Sequence, residues 1–181
     1  MIRPAENRHP VLVVMGVSGA GKTTISLELA SRLGWPFEEG DSLHSAANVA
    51  KMHAGTPLTD ADRWPWLEAV AAWIDTRRAK DSAGIITCSA LKRSYRAIIL
   101  GERKNVRLIY LRGRRELIAE RLAHRQGHFM PAELLQSQFD TLEEPGPEEN
   151  PVIVEIGPPA AELADQIIRR LDLRSSGKSG S

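Results

Sequence analysis

Short apolar runs alternate with longer amphipathic stretches along most of the chain. The runs at 11–15, 36–39, 84–88, 107–111 and 152–156 have the length of strands. Helical spacing predicts helices over 22–33, 48–52, 62–78, 92–100, 115–125, 131–139 and 160–171. Ile85-Ile86 and Val152-Ile153-Val154 are continuous apolar pairs and triplets, the pattern of parallel strands covered on both faces. Alternation of this kind predicts an α/β fold, with a parallel sheet of about five strands and helices on both faces. Ligands of such sheets bind beyond the carboxyl ends of the strands. The residues just after each strand are therefore where chemistry is expected.

Composition narrows the class. Of 181 residues, 42% are hydrophobic and 26% charged, which suits one domain with a substantial core. We expect that domain to span 10–173, between a loose polar N-terminus (1–9, with Pro4) and a disordered Ser/Gly-rich tail (174–181). Lys and Arg number 24 against 23 for Asp and Glu, a balance that argues against a nucleic-acid partner. The single cysteine, Cys88, excludes an intrachain disulfide and fits a reducing compartment. The run at 11–15 is too short for a bilayer and leads into glycines and Lys22 rather than a cleavage site. A cytoplasmic protein without membrane association is expected.

The strongest motif is Gly16-Val17-Ser18-Gly19-Ala20-Gly21-Lys22-Thr23, which matches G-x-x-x-x-G-K-[ST] between a strand and a helix. Its glycines let backbone N–H groups turn around a phosphate, and the following helix adds its positive end. Lys22 is expected to bridge the β- and γ-phosphates of ATP, with Thr24 beside it and the Thr23 hydroxyl ligating Mg2+. A GTPase would carry Asn-Lys-x-Asp, which is absent. Ser89-Ala90-Leu91-Lys92 departs from a guanine-contacting loop by the inserted Leu91. A motor ATPase needs more chain, so a small-molecule kinase of the P-loop NTPase fold, nucleoside-monophosphate-kinase-like with a small lid, is favoured.

The acceptor side is expected over about 41–66. Asp41, after the second strand, can hold an attacking hydroxyl and take its proton, and Glu39 can support Mg2+ through water. A Gly-Asp turn is the competing reading for Asp41. His44, Lys51, His53 and Arg63 follow, with His53 read as surface. Arg63 stands beside Trp64-Pro65-Trp66-Leu67, a cluster expected to pin its guanidinium for a carboxylate, whereas Trp66 and Trp73 read as core. Lys92 opens the next helix, and Cys88 reads as a buried small residue. The lid is expected over about 121–140. Arg121 and Arg125, four apart on one helix face, would close over ATP, with Arg125 catalytic and Gly127 as hinge. Arg114 and Arg115 read as a solvated face.

Together these strings resemble the bacterial-type gluconate kinases from about 13 to 156. The resemblance rests on the phosphate loop, Gly40-Asp-Ser-Leu-His44, Gly55-Thr-Pro-Leu-Thr-Asp-Ala-Asp-Arg63, Cys88-Ser-Ala-Leu-Lys92, Gly127-His-Phe-Met130, Gln138-Phe139 and Leu142-Glu-Glu-Pro145. It implies transfer of the γ-phosphoryl of ATP to the 6-hydroxyl of D-gluconate, with Mg2+, from a cytoplasmic enzyme that is often a homodimer. It makes Asp41 the partner of that hydroxyl. It places Arg63, Lys92 and His44 or Lys51 around the polyol and carboxylate, and Arg121, Arg125 and His128 over ATP. Glu39 stands where the family pattern suggests Asp. Rival readings are a kinase for shikimate or a nucleoside monophosphate, or a non-catalytic ATP-binding module.

Overall fold

The structure is a computed structural model, and it describes residues 9–125 and 131–176. Five strands, β1 (Val11–Met15), β2 (Phe37–Glu39), β3 (Gly84–Thr87), β4 (Val106–Arg112) and β5 (Val152–Glu155), form one parallel sheet in the order β2-β3-β1-β4-β5. Among the described residues, seven α-helices cover it: α1 (Lys22–Leu33), α2 (Ala46–His53), α3 (Asp60–Ala79), α4 (Arg93–Leu100), α5 (Arg115–Ala123), α6 (Ala132–Thr141) and α7 (Ala160–Leu171).

Strand β1 lies at the centre and is buried along its whole length. Its side chains alternate between two cores, as the two-residue period of a strand requires. Leu12 and Val14 pack with Ile25, Leu29, Ile118 and Ile167 on one face, whereas Val11, Val13 and Met15 pack with Leu67, Val70, Ile74 and Ile99 on the other. The β1–α1 turn therefore emerges at the middle of the sheet edge, where β2 and β3 also end.

Helix ends depart from the sequence expectations for identifiable reasons. Helix α3 starts at Asp60 because Thr59 and Asp62 form a reciprocal capping box. Helix α2 runs from Ala46 because Ser45 accepts from the Asn48 N–H at 3.1 Å. Lys92 is the cap of α4 rather than its first residue. Helix α5 stops at Ala123, so Arg125 lies beyond the helix that was expected to carry it. Trp66 is core, as anticipated, whereas Trp73 is only partly buried and lies under the Arg77 guanidinium, 5.3 Å from its ring centre.

Among the described residues, one charged side chain is buried. Arg96, 1% exposed, makes a forked ion pair with Glu149 (Nε–Oε1 2.7 Å, Nη2–Oε2 3.1 Å). Its Nη1 donates to the carbonyls of Ala90 (2.9 Å) and Leu91 (3.1 Å), fixing the chain just past β3. Glu143 accepts from the Arg93 N–H at 2.7 Å, and Glu144 accepts from the Tyr110 hydroxyl at 2.9 Å. The acidic stretch between α6 and β5 is thereby bound to α4 and β4.

Candidate active site

The phosphate loop turns through left-handed φ at Gly16, Gly19 and Gly21. At Gly19 a Cβ would stand 2.8 Å from Leu122 Cγ, so the loop lies against α5 only because that position has no side chain. Val17 and Ala20 are buried, and can serve a phosphate only through their backbone. The Lys22 ammonium lies across the loop, donating to the carbonyls of Gly16 (3.0 Å) and Val17 (3.1 Å). Burial lowers its pKa, and Asp41 is the leading charge that opposes the shift.

Lys22, Thr23, Glu39, Asp41, Arg121 and Arg125 line one cavity of about 930 Å³. Ser18, Gly19, Gly21 and Thr24 complete this polar wall. The helix end at Ala123 removes the expected shared helix face, yet Arg121 and Arg125 still face the same space. Neither has an ion-pair partner among the described residues. The lining also includes Leu134, Gly157, Pro158, Pro159 and Leu163, an apolar set that the sequence does not announce. A Gly-Pro-Pro string just beyond β5, at the carboxyl edge of the sheet, was its available signal.

Asp41 follows a tightly held glycine. A Cβ on Gly40 would stand 1.8 Å from the Thr87 carbonyl oxygen, which no side chain permits. The Gly40 N–H donates to the Thr87 hydroxyl (3.1 Å), and its carbonyl accepts from Trp66 Nε1 (2.8 Å). Glu39 accepts from the Thr23 hydroxyl (2.6 Å) on one oxygen and from the Thr87 hydroxyl on the other. With its proton committed to Glu39, the Thr23 oxygen keeps lone pairs for a hard cation. No cage of three His, Cys, Asp or Glu exists among the described residues. That donor set fits Mg2+, which is held by few protein oxygens plus substrate phosphates.

Two other acceptor candidates, Arg63 and Lys92, gather around Tyr95, outside the lining of the cavity that holds Asp41. The Arg63 guanidinium lies over the Tyr95 ring, 5.8 Å from its centre, and has no ion-pair partner among the described residues. Its support is thus Tyr95 rather than the tryptophans expected, because Trp66 stacks on His44 (4.2 Å) and Trp64 meets Tyr95 edge-on. Lys92 is engaged by Asp60 at 3.1 Å, and Asp60 also accepts from the Tyr95 hydroxyl.

Lys51 is tied to Asp62 at 2.7 Å, which makes it part of the α3 cap rather than an open ligand group. This pair, with the Thr59 N–H, pulls the Asp62 pKa down to about 2. Burial lowers the pKa of His44, with Asp41 opposing and Arg63 adding to the shift. Burial pushes the Cys88 thiol up to about 12, which removes it as a nucleophile. Asp41 and Arg63 both act on His44 and on Cys88, so the two clusters adjoin. His53 is exposed, and His128 and the hinge expected at Gly127 lie outside the described residues.

Comparison with known proteins fits this geometry. The AAA domain family matches residues 11–145. A gluconokinase of Gluconobacter oxydans is 53% identical over 142 residues, covering 78% of this chain and 79% of that one. The thermoresistant gluconokinase of Escherichia coli is 42% identical over 146 residues, covering 81% and 83%. The crystal structure of a gluconokinase from Sinorhizobium meliloti superimposes with a TM-score of 0.81 at 42% identity, covering 91% of this chain and 93% of that one. A P-loop sheet, a phosphate loop facing a carboxylate, and this extent of identity together place the chain in the gluconokinase family of P-loop kinases.

Proposed function

We propose that the protein transfers the γ-phosphoryl group of ATP to the 6-hydroxyl of D-gluconate, giving 6-phospho-D-gluconate and ADP. The observation that carries this reading is the single cavity shared by Lys22 and Asp41. Donor phosphate and acceptor hydroxyl must meet in line, and these residues bring the cation and the base to one space.

In the mechanism, loop N–H groups and Lys22 hold the β- and γ-phosphates. Asp41 orients the 6-hydroxyl and takes its proton as the new O–P bond forms and the bond to the β-phosphate oxygen breaks. Arg121 and Arg125, from the segment read as a lid at about 121–140, neutralise charge on the moving group. Thr23 and Glu39 would hold Mg2+, directly and through water, and the cation would supply charge neutralisation between the β- and γ-phosphates. The Pro158–Pro159 and Leu134 wall offers an apolar seat for adenine.

Arg63 is assigned to the gluconate carboxylate, because Lys51 and Lys92 already have carboxylate partners. Lys92 and His44 border the polyol, and His128 is kept as a lid contact. A single kinase domain over 10–173 is proposed from composition and the strand–helix alternation, and a cytoplasmic location and a homodimer from the family resemblance. No helix among the described residues is long and apolar enough to cross a membrane.

The test is a coupled ADP-release assay with gluconate, shikimate and nucleoside monophosphates as acceptors. Gluconate should exceed the others by orders of magnitude in kcat/KM. Preference for another acceptor would refute the substrate, and ADP release independent of any acceptor would refute the kinase.

A further inference from the structure

Among the residues that touch the site, Thr87 has no assigned part in catalysis, yet it bonds Glu39 and the backbone of Gly40, the residue before Asp41. It is the last residue of β3, which runs between β1 and β2, and it is 1% exposed. In the ladder it pairs with Val14 of β1 on one side and Glu39 of β2 on the other. A strand end next to β1, which leads into the phosphate loop, therefore carries a hydroxyl, and the carboxylate that reaches Thr23 comes from one strand further away.

A threonine hydroxyl has one proton to give. Here it goes to Glu39, while the oxygen accepts the Gly40 N–H at 3.1 Å. Neither partner can exchange roles, since an amide N–H only donates and an ionised carboxylate only accepts. The hydroxyl is fixed in orientation by both neighbours. The second Glu39 oxygen takes the Thr23 proton at 2.6 Å. A continuous chain of hydrogen bonds thus runs from Thr23, through Glu39 and Thr87, to the backbone amide that precedes Asp41. Trp66 Nε1, 2.8 Å from the Gly40 carbonyl oxygen, holds the same glycine from the opposite side.

We infer that Thr87 is a positioning residue that sets Glu39 and Asp41 in fixed relation to Thr23. It does not touch substrate. It acts by holding the carboxylate behind the cation site and the backbone of the proton acceptor in one register. The inference rests on the kinase reading above, with Asp41 at the acceptor hydroxyl.

Thr87→Val keeps the shape of the side chain and deletes both hydrogen bonds. Misplacement of reacting groups by a fraction of their contact distance lowers turnover strongly, so kcat should fall by about tenfold to a hundredfold. KM for gluconate should change less than about threefold, since no contact to it is removed. A second readout needs no turnover. Mn2+ binding in the presence of a non-hydrolysable ATP analogue, followed by electron paramagnetic resonance, should weaken by about tenfold, the scale of losing a partner behind a metal ligand.

Thr87→Ser should restore kcat and Mn2+ affinity. Should Thr87→Val lose its fold by circular dichroism, Thr87→Cys, of similar size and a weaker hydrogen-bonding group, carries the same expectation. Wild-type kcat and Mn2+ affinity in the folded variant would overturn the inference, as would a Thr87→Ser enzyme no better than Thr87→Val. Failure of the underlying reading is a separate result: Asp41→Asn would then retain full activity.

Discussion

The phosphate side and the acceptor side of the site hold their cations in different ways. On the phosphate side, Lys22 rests on backbone carbonyls, and Arg121 and Arg125 face the cavity with no ion-pair partner among the described residues. On the acceptor side, Lys51 and Lys92 are already engaged by Asp62 and Asp60, whereas Arg63 lies over an aromatic ring with no ion-pair partner among the described residues. A cation already satisfied by a carboxylate is part of the scaffold. One left open marks where an anion will sit. That distinction separates three acceptor candidates that looked alike as residue types.

The comparison can be broken most sharply at its two poles. Lys22→Ala should reduce kcat by about a thousandfold, the scale of removing a preorganised charge from a phosphoryl-transfer site. Asp41→Asn should cost a comparable factor while leaving ATP affinity, measured by calorimetry, within about twofold. Retained turnover in both would dissolve the idea of one shared reaction space. Next in size, Arg125→Ala should lower kcat by about a hundredfold with little change in gluconate KM. A rise in KM with kcat intact would move Arg125 to the acceptor side.

A sharper test sets Arg63 against Lys51. Arg63→Ala should raise gluconate KM by about tenfold to a hundredfold, as expected for a lost charge-assisted hydrogen bond. Lys51→Ala should leave KM within about threefold and show itself instead as a lower Tm. Equal effects on KM would erase the division between open and paired cations.

The smallest effect concerns pH. The Asp62 carboxyl titrates at about 2 in the fold against 3.8 for the free group, so its contribution to stability is complete above the free value. It is lost as pH falls from 3.8 toward 2. Thermal melts across that window should therefore be less steep in pH for Asp62→Asn than for the parent, and identical slopes would contradict the pairing.

How much of this was legible in the sequence follows the same division. The phosphate loop is contiguous, and its function depends on backbone geometry that glycines at fixed spacing encode, so eight residues sufficed. Strands β1 and β3 were legible because both faces of a parallel sheet exclude water, which leaves unbroken apolar runs; the edge strand β2, Phe37-Glu38-Glu39, carries only one apolar residue. The acceptor side is built by contacts between distant segments. Lys92 meets Asp60 across 32 positions and Lys51 meets Asp62 across 11, distances at which residue type carries no sign of pairing. Thr87 was unremarked and Tyr95 was given no role for the same reason, both being defined by what they touch. The end of α5 was misjudged because arginine and histidine favour helix and terminus alike, and the chain leaves the helix before Arg125.

The buried Arg96 joins pieces that the sheet order keeps apart. Through Glu149 and the Ala90 and Leu91 carbonyls it rivets helix α4 to the stretch leading into the edge strand β5. An edge strand with one neighbour would ordinarily fray by itself. Here its lead-in cannot lift without stranding a guanidinium in the interior, so amide protons of α4 and β5 should exchange with solvent as one cooperative unit.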